Sequence, residues 1–164
     1  MSNPIPAKRL QLAEVAPKQY AAIFRLSSSV DLEAELRELV DVRVSQMNGC
    51  AFCIDMHWKD ARELGETEER LYMLGAWRES GLYNARERAA LELSEAITRI
   101  GEGHVPDEVW ERARANFEDY ELGQLVFAIA TINTWNRLLI TALVEPGHYH
   151  PGQFGAAAGT RSVR

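Results

Sequence analysis

The chain has 164 residues, 46% of them apolar and 26% charged, with 11 glycines, 6 prolines and 2 cysteines. That composition excludes a disordered, collagen-like or disulfide-scaffold chain and leaves enough length for one buried core. Eighteen Lys and Arg stand against 24 Asp and Glu, a net charge of −6, with no basic cluster, so neither nucleic acid nor anionic lipid is an expected partner. Residues 1–20, MSNPIPAKRLQLAEVAPKQY, contain no apolar run of the secretory kind. The one long apolar stretch, 125–144, is interrupted by Asn133, Asn136 and Arg137. Those groups are costly in lipid, so a helix buried in protein is expected there, not a membrane span, and the chain is expected in the cytoplasm. In that reducing compartment, two neighbouring cysteines point to metal or redox chemistry before a structural crosslink.

Helical periodicity dominates and strand signals are scarce, so the expected class is all-α. Pro17 suits the first position of a helix whose apolar side carries Tyr20, Ile23 and Phe24, with Ser27-Ser28-Ser29 interrupting it. Leu32, Leu36, Leu39, Val40, Val44 and Met47 recur mostly at three- and four-residue steps, the pattern of an amphipathic helix. Asn48-Gly49 breaks it, and Asn48 is expected to cap the next helix, which runs to about Leu64 before Gly65. A shorter helix is expected over about 66–77. Asn84 and Glu87 have capping-box spacing and open a helix carrying Ala90, Leu91, Leu93, Ile97 and Ile100. Pro106 fits a first helical position, with Asp107 and Glu108 near the positive end of the dipole and Val109, Trp110, Ala113 and Phe117 on the inner side. The last helix, about 121–143, is apolar nearly all round, as a central or interface helix would be. The expected organisation is one domain over 1–145, a bundle of about six or seven helices, followed by a Gly/Pro-rich tail over 146–164 that forms an arm or a disordered end.

One constellation carries chemistry: Cys50-Ala51-Phe52-Cys53-Ile54-Asp55-Met56-His57. On a helix Cys53 lies about 60° to one side of Cys50, and His57 about 40° back towards it, so two thiols and an imidazole share one stripe on successive turns. A helix start favours thiolate over thiol, because unpaired backbone N–H groups and the dipole meet the charge. His57 can accept the thiol proton, and a carboxylate can orient the ring or relay the proton onward. Glu38, on the preceding helix, is a candidate for that carboxylate, and spacing alone does not select it over Glu33, Glu35 or Asp55. The competing reading is a zinc site of Cys50, Cys53 and His57, with Glu38 or another His as fourth ligand and no second CxxC in the chain. Ile54 stands where a haem signature needs His, and the helical pattern before the motif argues against a thioredoxin-type strand. Trp77, Trp110 and Trp135 are expected in the core or an interface. Asn133, Asn136 and Arg137 are expected to hydrogen-bond across a subunit contact, and His148 and His150 to be exposed in the tail.

Cys-x-x-Cys-x-x-x-His with Glu38 twelve positions before Cys50 resembles the alkylhydroperoxidase AhpD family, within the carboxymuconolactone decarboxylase superfamily. The segments NGCAFCIDMHWKDARELGETEERLYML and AWRESGLYNARERAALELSEAIT carry the likeness, which covers about residues 35–145, including INTWNR at 132–137. The resemblance implies an all-helical subunit that oligomerises through its helices as a dimer, trimer or hexamer, with a thiol peroxidase site. Cys53 is then the attacking thiolate, Cys50 the resolving thiol, and His57 with Glu38 the proton relay. A hydroperoxide is the implied substrate and a lipoyl or thioredoxin-type dithiol the implied electron donor, with no nucleotide, flavin or metal cofactor. Phe52 stands where AhpD has a second His between its cysteines, which leaves the relay one imidazole in drier surroundings. The alternatives are a decarboxylase-like non-redox relative, a type that as a rule lacks the paired cysteines, and a redox sensor or disulfide reductase that does not turn over peroxide.

Overall fold

The computed structural model describes residues 9–154, so the last ten positions of the expected tail lie outside the described residues. Among the described residues there are eight α-helices and no strand: α1 (Leu12–Val15), α2 (Pro17–Ser28), α3 (Ala34–Asn48), α4 (Ala51–Glu63), α5 (Glu68–Met73), α6 (Ala85–Thr98), α7 (Asp107–Arg114) and α8 (Asp119–Ala142). The all-α expectation holds, but the count exceeds six or seven for a local reason. A single turn precedes Pro17, which has no N–H with which to extend that ladder, so α1 stops and α2 starts afresh with Pro17 at its head. The helix expected over 66–77 is α5, followed by a 3-10 segment, Leu74–Glu79, kinked at Ala76.

The centre of the bundle is α3, which packs against α4, α6 and α8. Its Leu36, Val40 and Val44 enter a cluster with Ala90 and Leu93 of α6, Ala113 of α7 and Leu125, Ile129 and Ile132 of α8. Its Leu39 and Val42 enter a second cluster with Ala61, Leu71, Leu74, Trp77, Tyr83 and Leu91. Each such side chain, fully buried, contributes about 1.5–3 kcal/mol. The one-sided amphipathic reading of this helix is therefore too narrow: α3 is buried on two sides. The last helix, α8, is long and apolar enough by composition to cross a membrane, yet its Leu122, Leu125, Ile129 and Ile132 are buried against the core. Its other side leaves Tyr120, Phe127 and Ile140 exposed.

Helix starts follow the sequence closely. The Asn84 side chain accepts the Glu87 N–H at 2.9 Å while the Glu87 carboxylate accepts the Asn84 N–H at 2.8 Å, the full capping box. Pro106 is the cap of α7, one position ahead of the first helical residue. Trp110 and Ile100 do not line the interior. Trp110 sits about 100° from the Val109–Ala113 stripe, Ile100 lies beyond the end of α6, and both are exposed. Trp77 is buried and Trp135 half-buried, the latter edge-on to Tyr20 of α2 with ring centroids 5.0 Å apart. Buried Glu95 of α6 gathers Arg43 of α3 (Nε–Oε1 2.7 Å), the Trp77 indole (2.9 Å) and Arg78, which fixes the 3-10 segment to α3 and α6.

Candidate functional site

The site begins where α3 ends. Gly49 takes φ +71°, a left-handed conformation that glycine adopts without steric cost. The Gly49 N–H reaches Gln46 O at 3.3 Å and the Cys50 N–H reaches Ser45 O at 3.0 Å, the paired bonds of a Schellman turn. Asn48 is thus the last residue of α3 and not the cap of α4. Its amide N–H₂ instead donates to Asn133 Oδ1 at 2.9 Å and Asn136 Oδ1 at 2.8 Å, while Asn136 Nδ2 donates to Ser45 Oγ at 3.0 Å. Asn133 and Asn136 therefore bond within the chain, where α8 crosses the end of α3, rather than across a subunit contact. Exposed Arg137 bonds the Asn133 carbonyl and side chain.

Cys50 is the cap residue of α4, extended at φ −84° and ψ 95°, and Cys53 is its third helical residue. Both are free thiols, 1% exposed, and both belong to the first core cluster, with half-buried Phe52 packed on it. The Cys53 thiol is the main influence that lowers Cys50. Burial opposes it, and the Cys53 backbone N–H, the His57 charge and the Asn136 amide assist, bringing Cys50 from its ordinary 9.0 to about 7. Cys53 moves strongly upward, because its proton is engaged with Cys50 and burial and the Cys50 and Asp41 charges oppose a second ionisation. The first negative charge on the pair rests on Cys50.

His57 is buried one turn beyond Cys53, and its Nδ1 donates to Glu38 Oε2 at 2.8 Å. Burial disfavours the charged ring, but the Glu38 and Asp41 carboxylates outweigh it, with Asp60 adding to them, and His57 is pushed up to about 9. Of the sequence-derived quartet, His57 meets Glu38 directly, Cys50 pairs with Cys53, and the His57 charge is felt at Cys50, whereas Glu33, Glu35 and Asp55 do not reach the ring.

Two carboxylates escaped the sequence reading. Asp41, 2% exposed, places Oδ2 3.5 Å from Arg37 Nε and 3.7 Å from His57 Nδ1, while its Oδ1 has no hydrogen-bond partner. The signal available was a single acid three residues after Glu38, hence on the same helix face, inside the apolar run Leu39-Val40-Asp41-Val42. Buried Asp60, three residues after His57, accepts the Tyr149 hydroxyl at 2.8 and 2.9 Å. Tyr149 comes from the segment expected to form an arm or a disordered end. Its described part packs on α4, with Lys59 Nζ on the Tyr149 carbonyl at 3.1 Å and the Gly147 N–H on Asp55 at 2.9 Å, while His148 and His150 are exposed as expected.

Glu38, Asp41 and His57 bring one donor atom each within 4.8 Å. Among the described residues no such group includes a cysteine, so the four donors weighed for zinc do not converge. With Nδ1 at hydrogen-bond distance from Oε2, the trio is an imidazolium among carboxylates. A surface hollow of about 510 Å³ lined by Ala51, Ile54, Asp55, Trp58 and Lys59 lies on the side of α4 away from Cys53 and His57, so it does not open onto the sulfurs.

Residues 17–96 match the carboxymuconolactone decarboxylase family. The uncharacterized protein YdfG of Bacillus subtilis (strain 168) is 45% identical over 137 residues, which span 82% of this chain and 93% of YdfG. The chain belongs to the carboxymuconolactone decarboxylase family. Among solved structures it is similar to ATU0492 of Agrobacterium tumefaciens, a protein of unknown function provisionally identified as the antioxidant defence protein AhpD. That match has 36% identity and a TM-score of 0.83, covering 87% of this chain and all of the other. The AhpD core of a peroxidase-related protein from Ralstonia eutropha JMP134 shares the fold at 21% identity and a TM-score of 0.73, over 85% of this chain and 75% of that one. The fold is AhpD-like.

Proposed function

We propose that this protein is a cytoplasmic thiol peroxidase that reduces hydroperoxides through a reversible Cys50–Cys53 disulfide, with His57 and Glu38 as its proton relay. The observation that carries this reading is a pair of free thiols at the start of α4, one ionising at about 7, beside an imidazole kept charged by Glu38. The single remaining thiol proton moves from Cys53 to Cys50, and the Cys53 thiolate attacks the outer oxygen of the hydroperoxide. The O–O bond breaks, the leaving oxygen takes a proton from His57 to depart as an alcohol or water, and Cys53 becomes a sulfenic acid. The Cys50 thiol then condenses with it, releasing water and forming the disulfide before further oxidation. An external dithiol of lipoyl or thioredoxin type restores both thiols by exchange and leaves as its own disulfide. Exposed Phe24 and Leu26 of α2 and Phe127 and Ile140 of α8 support assembly into a homo-oligomer through helices, and the net charge of −6 fits neither nucleic acid nor an anionic membrane as partner.

The burial of both sulfurs to 1% exposure supports a second reading, a redox sensor oxidised once per molecule. Peroxide consumption with a dithiol donor separates the two. The peroxidase consumes many equivalents, Cys53→Ser consumes none, and Cys50→Ser stops after one with a sulfenic acid trappable on Cys53. One equivalent in the wild type favours the sensor, a sulfenic acid trapped on Cys50 in Cys53→Ser exchanges the roles of the sulfurs, and full turnover in both variants overturns the dithiol mechanism.

A further inference from the structure

Asp41 is a poor device for stability. It is 2% exposed, it shares Oδ2 between Arg37 Nε at 3.5 Å and His57 Nδ1 at 3.7 Å, and its Oδ1 meets no donor. A buried carboxylate left half-satisfied is destabilising, and a well-packed apolar residue of similar size in its place is often neutral or stabilising. Across the helix interface Asp41 faces the ring that Glu38 already holds.

We propose that Asp41 is a positioning residue: as a second carboxylate behind the Glu38–His57 hydrogen bond, it holds His57 as an imidazolium beside the cysteine pair, with Arg37 moderating its charge. Glu38 and Asp41 act on the ring from α3 and Asp60 and Cys50 from α4, the neutral Asn136 amide of α8 acts on the cysteine pair, and the Tyr149 segment meets the group through Asp60. Removing Glu38 would cut the direct hydrogen bond, whereas removing Asp41 leaves that bond in place and lowers the field in which the proton sits. The same charge adds a smaller contribution to the opposition that the Cys50 thiol and burial already set against a thiolate on Cys53. As a statement about catalysis this rests on the dithiol reading above; the test does not.

The test is the titration of the His57 ring by NMR in reduced protein without peroxide, together with thiolate absorbance. In Asp41→Asn, which keeps the side-chain shape, the His57 midpoint falls by about one to three pH units from about 9 and the Cys50 thiolate appears at higher pH. Arg37→Gln removes the cation that shares Asp41 Oδ2 and moves the His57 midpoint the other way. A midpoint unmoved in Asp41→Asn, or moved in the same direction by both substitutions, overturns the role. If Asp41→Asn does not fold, an Arg37→Gln midpoint at or below the wild-type value overturns it as well. A wild-type protein that consumes no peroxide overturns the proposed function and leaves this titration, and the inference, standing.

Discussion

Glu95 and Asp41 are both buried carboxylates, 4% and 2% exposed, and their surroundings could hardly differ more. Glu95 accepts from Arg43 at 2.7 Å, from the Trp77 indole at 2.9 Å and from Arg78. Burial opposes its ionisation, and these donors still hold it below the usual carboxylate range. Asp41 has one oxygen shared at 3.5 and 3.7 Å and one with no partner. A fully satisfied buried acid ties elements together, and its removal strands the cations around it. A half-satisfied acid beside a buried imidazole does its work through its field. The first kind is read by unfolding, the second by titration.

The largest effect that sharpens this contrast is on the titrating side. On the proposed mechanism Glu38→Gln removes the charge at Nδ1 and lowers peroxide turnover by about 10²–10⁴-fold, and it gives up part of the stability that the raised His57 contributes below about pH 9. On the structural side, Glu95→Gln costs up to about 3–5 kcal/mol in denaturant unfolding, because it leaves half-buried Arg43 without its charged partner. The Cys50 thiolate titration is unchanged in that variant. The Glu95 contribution is present above its unfolded value of about 4.5 and lost as pH falls through its lowered folded value.

The next effect comes from the site itself. His57 is raised from 6.5 to about 9, so its contribution is complete below 6.5 and is lost as pH rises through 9. At about 1.4 kcal/mol per pH unit this amounts to about 3 kcal/mol. Cys50 is lowered from 9.0 to about 7, so its contribution is present above 9 and lost as pH falls through 7. Between about pH 7 and 9 the two oppose each other, and the unfolding free energy of the reduced wild type is nearly level. Cys50→Ser uncovers the His57 part, so its stability declines by about 3 kcal/mol over the same interval. A parallel curve for the two proteins would break the assignment of charge to Cys50. The smallest effect is that of Tyr149→Phe, which leaves Asp60 without its hydroxyl donor and costs about 1–2 kcal/mol.

What was legible in the sequence is what depends on local spacing. The stripe of Cys50, Cys53 and His57, the Asn84–Glu87 box and the start of α2 at Pro17 are properties of a few consecutive residues, and each stands where the spacing places it. Glu38 was singled out by family resemblance, because several acids of α3 share its spacing and only packing against α4 decides which meets the ring. Asp41 went unseen for a related reason. In sequence it is one more charge on a helix taken as one-sided, and only the burial of α3 on two sides turns it inward. Asn48 met the propensity of a cap, but Gly49 ended α3 first and left Cys50 at that position. Tyr149 sits among glycines and prolines that read as loose chain, and its burial depends on Asp60, 89 residues away.

The Schellman turn fixes the backbone at Cys50 from both directions. Its amide is committed to Ser45 O at 3.0 Å, and its carbonyl accepts the Ile54 N–H at 2.9 Å, the first rung of α4. Neither group is free to shift when the sulfur changes partner, so making or breaking a bond to Cys53 is left to rotation of two short side chains. On the proposed dithiol mechanism, a centre built this way has little reorganisation to undergo at each passage between its oxidation states.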